Sequence, residues 1–205
     1  MRSYTVAQVR AAEAPLIEAG VPLMRRAATA LAARVREAGR TPVVVLAGPG
    51  DNGGDALYAA AELAADAEVL LVRTGTAVHE AAWAAATGAG AREIPADAVG
   101  SVITDDAVIV DGMRGIGGSG AGLRDLARET ALRIRPLLEP RARPLIVAVD
   151  VPSGIDADTG AADDAVLPAD VTVTFGALKR GLTREPARGL GGRIEVADIG
   201  LGLRG

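Results

Sequence analysis

Cysteine is absent from this chain, which excludes disulfides and thiol chemistry and fits a reducing compartment. Aromatic residues make up only 2% of it, so alanine, valine and leucine must fill most of the interior. There is a single histidine, His79, beside Glu80 in an alanine-rich stretch. It is expected to be solvated on a surface helix, and histidine catalysis is not expected. No basic tail or stripe is present and the net charge is −4, so neither nucleic acid nor an anionic membrane is an expected partner. No uninterrupted apolar run approaches the roughly 18 residues of a membrane span. The start, MRSYTVAQVR, has no apolar signal core. The chain is expected to be soluble and cytoplasmic.

What is present is ample core material: 49% hydrophobic residues in 205. That length suits one domain, taken as residues 1–205, with no internal repeat or low-complexity linker. Thr5-Val6-Ala7-Gln8 is a capping-box pattern that starts a helix at Val6, and Gly20 and Pro22 break it. A second amphipathic run covers Pro22 to Glu37. The pattern then alternates. Strands are expected at Pro42–Ala47, Glu68–Arg73, Ala107–Val110 and Leu145–Val149, with late strands at Val171–Phe175 and Ile194–Ala197. Helices are expected at Gly54–Ala65, Ala77–Thr87 and Leu123–Leu138. Short β-branched runs alternating with helices imply an α/β fold, a parallel sheet covered on both faces.

In such a sheet, ligands bind beyond the carboxyl ends of the strands. The first long strand runs into Gly48-Pro49-Gly50-Asp51-Asn52-Gly53-Gly54-Asp55. The third ends at Asp111 and enters Gly112-Met113-Arg114-Gly115. The fourth ends at Asp150, followed by Val151-Pro152-Ser153-Gly154. Three strands thus deliver carboxylates and glycine-rich turns to one edge. Gly48-x-Gly50-x-x-Gly53 matches the dinucleotide fingerprint, yet the acid expected about 20 residues further on is missing and Arg73 stands there. Arg73 is read as a solvated charge, with a 2′-phosphate contact as the alternative. Gly115 to Gly122 opens the following helix and makes the better phosphate cradle, since glycine lets N–H groups approach an anion at a helix N-terminus, with a flexible surface loop as the alternative. Lys179 and Arg180 are read as a solvated turn, with substrate phosphate as the alternative. Trp83 is read as core or dimer interface. Arg124 and Arg128 are expected on a helix's wet face.

Together these motifs resemble the NAD(P)HX epimerases, the YjeF N-terminal domain family. The loop GxGDNGGDA is similar to the family's G-x-G-N-N-G-G-D-G. Val149 to Gly160 resembles VDIPSGLDADTG, Asp111 to Gly117 its D-A-L-F-G-T-G loop, and Ala169 to Gly181 its ADLTVTFGxxKxG. Val196 to Gly200 resembles VADIGI, and Leu23-Met24-x-x-Ala27 the early LMExAG helix. The resemblance covers nearly the whole chain, in order.

It implies a Rossmann-like three-layer sandwich, usually a homodimer, that interconverts the R and S hydrates of NADH and NADPH. It implies that substrate is held by Asp51, Asn52, Gly53, Gly54 and Asp55. Gly115, Ile116, Gly117, Gly118, Ser119, Gly120, Ala121 and Asp150 complete that set. It implies one potassium ion per subunit on Asn52, Asp111 and Ser153. The family's dehydratase domain is often fused behind this one. With 205 residues in this chain, the expected partner is a separate ADP- or ATP-dependent NAD(P)H-hydrate dehydratase on the same pool, the alternative being that the chain is a truncated piece of a fused protein. Asp150 is the first candidate for the proton-transferring group and Asp55 the second, because burial or a like-charged neighbour raises a carboxyl pKa towards the working pH. The bland reading of Asp150 is a cap for its own turn. Departures from the family pattern are Asp51 for asparagine, Ala56 for glycine, Arg114 for an apolar residue, and Arg25 and Ala28 for Glu and Gly. They leave two other readings: a non-catalytic nucleotide-binding or scaffold module of the same fold, and an ordinary nicotinamide dehydrogenase. The second is weakened by the missing acid and by the lack of a proton-relay motif.

Overall fold

The computed structural model describes residues 2–115, 122–139 and 142–203. A two-residue strand, β1 (Ser3–Tyr4), leads into helix α1 (Val6–Glu18). The capping box at its start is complete: Gln8 N donates to Thr5 Oγ1 at 3.1 Å, and Thr5 N donates to Gln8 Oε1 at 2.9 Å. Helix α2 (Leu23–Ala38) follows and ends at Gly39, whose φ of 62° suits a left-handed C-terminal residue.

The first long strand is β2 (Val43–Ala47), every residue of which is buried. The apolar run Val43-Val44-Val45-Leu46 suits a strand covered on both faces. Next come α3 (Asp51–Leu63), β3 (Val69–Arg73), α4 (Glu80–Gly88) and a two-residue strand β4 (Arg92–Glu93). A short helix α5 (Val99–Val102) precedes β5 (Val108–Gly112). Helix α6 (Asp125–Ile134) then leads to β6 (Leu145–Val149). The chain closes with β7 (Val171–Phe175), β8 (Leu178–Lys179), the one-turn α7 (Ala187–Leu190) and β9 (Arg193–Ala197).

Seven strands form one sheet in the order β4-β3-β2-β5-β6-β7-β9, and every neighbouring pair is parallel. Alternate residues of each strand face opposite layers, as the pleat demands. Val43, Val45, Val108, Val110, Val147 and Val149 join α1 to α4 in one core. Val44, Leu46, Ile109, Ile146 and Ala148 join Ala127, Ala131 and Ile134 of α6 in the other. The three-layer α/β architecture expected from the alternation is therefore present. β1 and β8 pair separately, with Tyr4 opposite Lys179.

Four expected boundaries shift: the strand expected at Ala107–Val110 runs from Val108 to Gly112, the helix expected at Leu123–Leu138 is α-helical over Asp125–Ile134 only, and two further helices begin elsewhere. The Gly54–Ala65 helix starts at Asp51 instead, so the polar loop is its first turn. The Ala77–Thr87 helix starts at Glu80, because His79 caps it. The small elements β1, β4, β8 and α7 have no periodic signature and were not expected. The chain leaves β2 towards β3 and β4, then returns to β5 on the other side. That reversal opens a crevice beyond the carboxyl ends of β2 and β5, where open parallel sheets bind ligands. Ile109 lies fully buried at this sheet's centre. Ile109→Ala is expected to cost about 2–5 kcal/mol, read as a lower urea midpoint; a loss under about 0.5 kcal/mol contradicts the packing described.

Candidate functional site

Two glycines bring the strand ends together. A Cβ at Gly48 would lie 1.8 Å from the Met113 carbonyl oxygen, and one at Gly53 would lie 2.0 Å from the Gly48 carbonyl oxygen. These positions are glycine because the protein's own main chain fills the space.

Asp111, at the end of β5, is fully buried. Its Oδ2 accepts Ser153 N at 2.9 Å and its Oδ1 accepts Met113 N at 3.3 Å. Ser153 Oγ in turn accepts Arg114 N at 2.8 Å. The loops after β5 and β6 are thereby joined. Burial raises the Asp111 carboxyl above its ordinary range, and its hydrogen bonds to Ser153 and Met113 oppose the rise. Among the described residues no cationic side chain pairs with it. Asn52, in the first turn of α3, is also buried, and its Nδ2 donates to Val149 O at 2.5 Å. That bond turns Oδ1 the other way, towards Gly115, where a Cβ would lie 2.5 Å from it.

The three expected cation ligands therefore gather from α3, β5 and the loop after β6. The donor set is a carboxylate, an amide oxygen and a hydroxyl, all buried, with one negative charge lacking a cation. It fits a hard cation of low charge, since oxygen donors suit such ions and a buried carboxylate needs a counter-charge. Among the described residues no cluster of three or more His, Cys, Asp or Glu side chains is arranged to hold a metal.

The second cluster lies further along the same edge. Asp150, at φ 65°, sends its carboxylate away from its own turn, so it is not a turn cap. Its Oδ1 accepts Thr174 Oγ1 at 3.0 Å and Phe175 N at 3.1 Å, and it forms an ion pair with Lys179 Nζ. Lys179 also donates to Phe175 O at 2.8 Å and is 1% exposed. The expectation of a solvated turn at Lys179 is thus corrected. Lys179 is a buried counter-ion, and the signal that would have found it is the Lys179-x-Gly181 motif itself. Arg180 lies at the surface and approaches Asp158 at 3.9 Å.

Asp55, one turn into α3, is buried and meets no hydrogen bond or ion pair among the described residues. Burial pushes its carboxyl well above the usual range, and the charges of Asp150 and Asp51 add to the rise, while Lys179 opposes it. Glu13 of α1 joins the group and was missed in sequence. It follows the buried Val9 by one helical turn and is half-buried. Burial raises its carboxyl too, with Lys179 opposing and Asp150 and Asp51 adding.

A cleft of about 830 Å³ opens at the switch point, between Pro49–Asn52, Thr74–Thr76, Met113–Gly115 and Gly122–Ala127. Asp51 and Asn52 line it. Asp55, Asp111, Asp150 and Ser153 are not among the residues that line it. Gly53 and Gly54 are in the first turn of α3, and Gly115 lines the cleft. The expected substrate residues Ile116, Gly117, Gly118, Ser119, Gly120 and Ala121 lie outside the described residues. Arg114 donates to Gly122 O, which ties the two ends of that segment together.

Other expectations resolve locally. His79 is half-buried rather than solvated: its Nδ1 accepts Ala82 N at 3.1 Å and its ring stands edge-on to Tyr58 at 5.6 Å. Trp83 is core, and Arg73 is not simply solvated, because its guanidinium lies 3.8 Å from the Trp83 ring centre and its Nε 2.9 Å from Glu93 Oε1. Arg128 lies at the surface and pairs with Asp163 and Asp164.

Fold and site define an open parallel α/β protein with a cleft at its switch point and a buried carboxylate set beside it. Residues 20–181 match the family model described as YjeF-related protein N-terminus, and the chain belongs to that family. A protein from Microbacterium testaceum (strain StLB037) named NAD(P)H-hydrate epimerase is 51% identical over 206 residues, covering 97% of this chain and 78% of the relative. One of the same name from Clavibacter michiganensis subsp. michiganensis (strain NCPPB 382) is 47% identical, covering 98% of this chain and 92% of the relative. A Mycobacterium tuberculosis protein (strain CDC 1551 / Oshkosh) named bifunctional NAD(P)H-hydrate repair enzyme Nnr is 44% identical over 98% of this chain and 42% of its own length. The crystal structure of yeast ynu0 has the same fold, with a TM-score of 0.75 at 20% identity, over 91% of this chain and 86% of the yeast chain.

The raised Asp55 carboxyl has a stability consequence. From the unfolded pKa of about 3.9 up to the folded one, the native state holds a proton that the unfolded chain releases, so stability falls as pH rises through that window. Each pH unit of the window removes about 1.4 kcal/mol, or roughly 3–5 °C in Tm. Asp55→Asn is therefore expected to raise Tm at pH 7.5 relative to wild type, and to raise it less at pH 4. A lower Tm at both pH values contradicts the burial cost assigned to Asp55.

Proposed function

We propose that this protein interconverts the R and S hydrates of NADH and NADPH, an isomerase of coenzyme repair. The observation that carries the reading is the combination of near full-length relatives named for that activity with the site described above. Asn52, Asp55, Asp111, Asp150 and Ser153 are all present and all buried at one sheet edge.

The hydrate carries a hydroxyl on a ring carbon next to the ring nitrogen. Asp55, whose carboxyl holds its proton to higher pH than usual, donates that proton to the hydroxyl. The C–O bond breaks as the nitrogen lone pair moves in, water leaves, and a flat iminium cation remains. Asp51 and the Asp150 carboxylate supply negative charge near it. Water adds to the opposite face and returns its proton to the Asp55 carboxylate, which restores the enzyme. The order of the two proton-group candidates is thus reversed relative to the sequence expectation. The support is that Asp150 is already engaged by Lys179, Thr174 and Phe175, while Asp55 has no such partner. Asn52, Asp111 and Ser153 would hold a potassium ion, which when bound supplies positive charge for the substrate's phosphate oxygens. Asp51 to Asp55 and Gly115 to Ala121, with Asp150, make up the proposed substrate-binding set.

A single domain over residues 1–205, a homodimer and a cytoplasmic setting belong to the same proposal. Among the described residues no helix is long and apolar enough to cross a membrane. The S form produced would be consumed by an ADP- or ATP-dependent dehydratase; the bifunctional relatives support that pairing.

The test follows exchange between separated R and S hydrates with purified protein, in potassium and in choline buffers. Exchange well above the spontaneous rate is expected, with Asp55→Asn lower by about 10²–10⁴-fold. Wild-type exchange at the spontaneous rate ends the reading, and an unchanged Asp55→Asn rate removes Asp55 from it. Asp111→Asn is expected to lower the rate and abolish any difference between potassium and choline; a persisting difference excludes Asp111 as a ligand.

A further inference from the structure

Two buried side-chain polar atoms among the described residues lack a hydrogen-bond partner: Arg34 Nε and Thr74 Oγ1. The first has a carboxylate 3.3 Å away, on Glu195. The second has nothing. Thr74 is 3% exposed and follows β3 directly, its N–H donating to Ala47 O at 3.0 Å. It is thereby held against the end of β2, and it lines the cleft opposite Met113 to Gly115, beside Pro49 and Gly50 at the start of α3. Buried hydroxyls almost always find a partner, so an orphan in a cleft wall calls for one from outside the chain.

Its place in the sheet identifies that partner's chemistry. In parallel sheets that bind dinucleotides, the strand beside the first glycine turn ends in the residue that reads the adenosine ribose. An acid there accepts from the 2′-hydroxyl, and an arginine nearby accommodates a 2′-phosphate. Here that strand is β3, and its last residue, Arg73, is committed to Trp83 and Glu93. Residues 73–76 contain no acid. Thr74, Gly75 and Thr76 line the cleft there, and of these Thr74 has the buried hydroxyl that lacks a partner.

Resting on the epimerase reading, we propose that Thr74 hydrogen-bonds the ribose 2′ position of the bound hydrate, and that this neutral contact leaves the enzyme indifferent to a hydroxyl or a phosphate there. A threonine hydroxyl is both donor and acceptor, so it accepts from a 2′-hydroxyl and donates to a phosphate oxygen. Oγ1 is shielded from water in a residue that lines the cleft, so a ligand seated there is the partner it lacks.

Three variants test this with both purified hydrates, NADHX and NADPHX, each checked for a wild-type melting curve. Thr74→Val keeps the shape and removes the hydroxyl. It is expected to raise KM about threefold to tenfold for both substrates, the loss of one neutral hydrogen bond. Thr74→Ser is expected to restore the wild-type KM. Thr74→Glu places a carboxylate against the 2′ position and is expected to raise KM for NADPHX at least tenfold more than for NADHX, because like charges in contact repel. Unchanged KM values in Thr74→Val, or a Thr74→Glu effect equal on the two substrates, overturns the proposal. Absence of exchange by the wild-type enzyme fails the epimerase reading instead, so the two failures are told apart.

Discussion

The ion pair between Asp150 and Lys179 is the constraint on which the rest of this edge depends. Both partners are almost wholly removed from water, and each would cost several kcal/mol to bury alone. Their mutual attraction is completed by Thr174 and Phe175 N–H on the carboxylate and by Phe175 O on the ammonium. The pair joins the turn after β6 to β8. Because Tyr4 lies opposite Lys179 in the β1–β8 pairing, it also anchors the chain that enters α1. Val6 N, which donates to Asp158 Oδ1 at 2.9 Å, fixes the same junction from the other side. The helix that brings Glu13 to the site is therefore placed by contacts with residues more than 150 positions away.

This pairing divides labour among the acids. Lys179 is the only lysine in the chain, and it is spent on Asp150. Asp111 is held by the Ser153 main chain and hydroxyl network, which leaves a buried negative charge with no side-chain cation among the described residues. Asp55 has neither, so the least costly state available to it is the protonated one. Three buried aspartates thus meet the cost of burial in three ways: an ion pair, a set of hydrogen bonds open to an added cation, and a retained proton. Only the third keeps a proton on the carboxyl to higher pH than an ordinary aspartate does.

The strands and long helices were legible because burial on both faces and amphipathic spacing leave a local pattern. β2, β3, β6, β7 and the Thr5 cap fall within a residue or so of where the pattern places them. The convergence of Asn52, Asp111 and Ser153 was legible too, since each follows a strand of one parallel sheet. What failed were contacts with no local signature. A lysine in a Gly-rich turn looks solvated until its partner, 29 residues earlier, is seen to be buried with it. Arg73 looks like a free charge until Trp83 and Glu93 close around it. A histidine beside a glutamate does not announce a helix cap. β1 and β8 are two residues each, so no period can be read from them. The Gly48-x-Gly50-x-x-Gly53 spacing matches a dinucleotide fingerprint, yet the room at Gly48 and Gly53 is filled by main chain from the loop after β5 and from Gly48 itself.

The departures from the family pattern take on a sign in this frame. Ala56 in place of glycine sits against Gly112, where a Cβ would lie only 2.8 Å from the Ala56 methyl, so the two positions tolerate one methyl between them. Arg114 does not simply offset Asp51: it reaches Gly122 O, where the backbone re-enters α6, and acts on the ends of the loop. Asp51 places a negative charge at the cleft, which opposes phosphate binding there. The same charge raises the Asp55 carboxyl, in the direction that burial and Asp150 already push it. Within the epimerase reading, substituting aspartate for asparagine therefore exchanges some affinity for the substrate's phosphates against a firmer hold on the proton that the reaction uses. The substitution is compatible with catalysis because the cation on Asn52, Asp111 and Ser153 would stand one residue away, where it can screen the phosphates from Asp51.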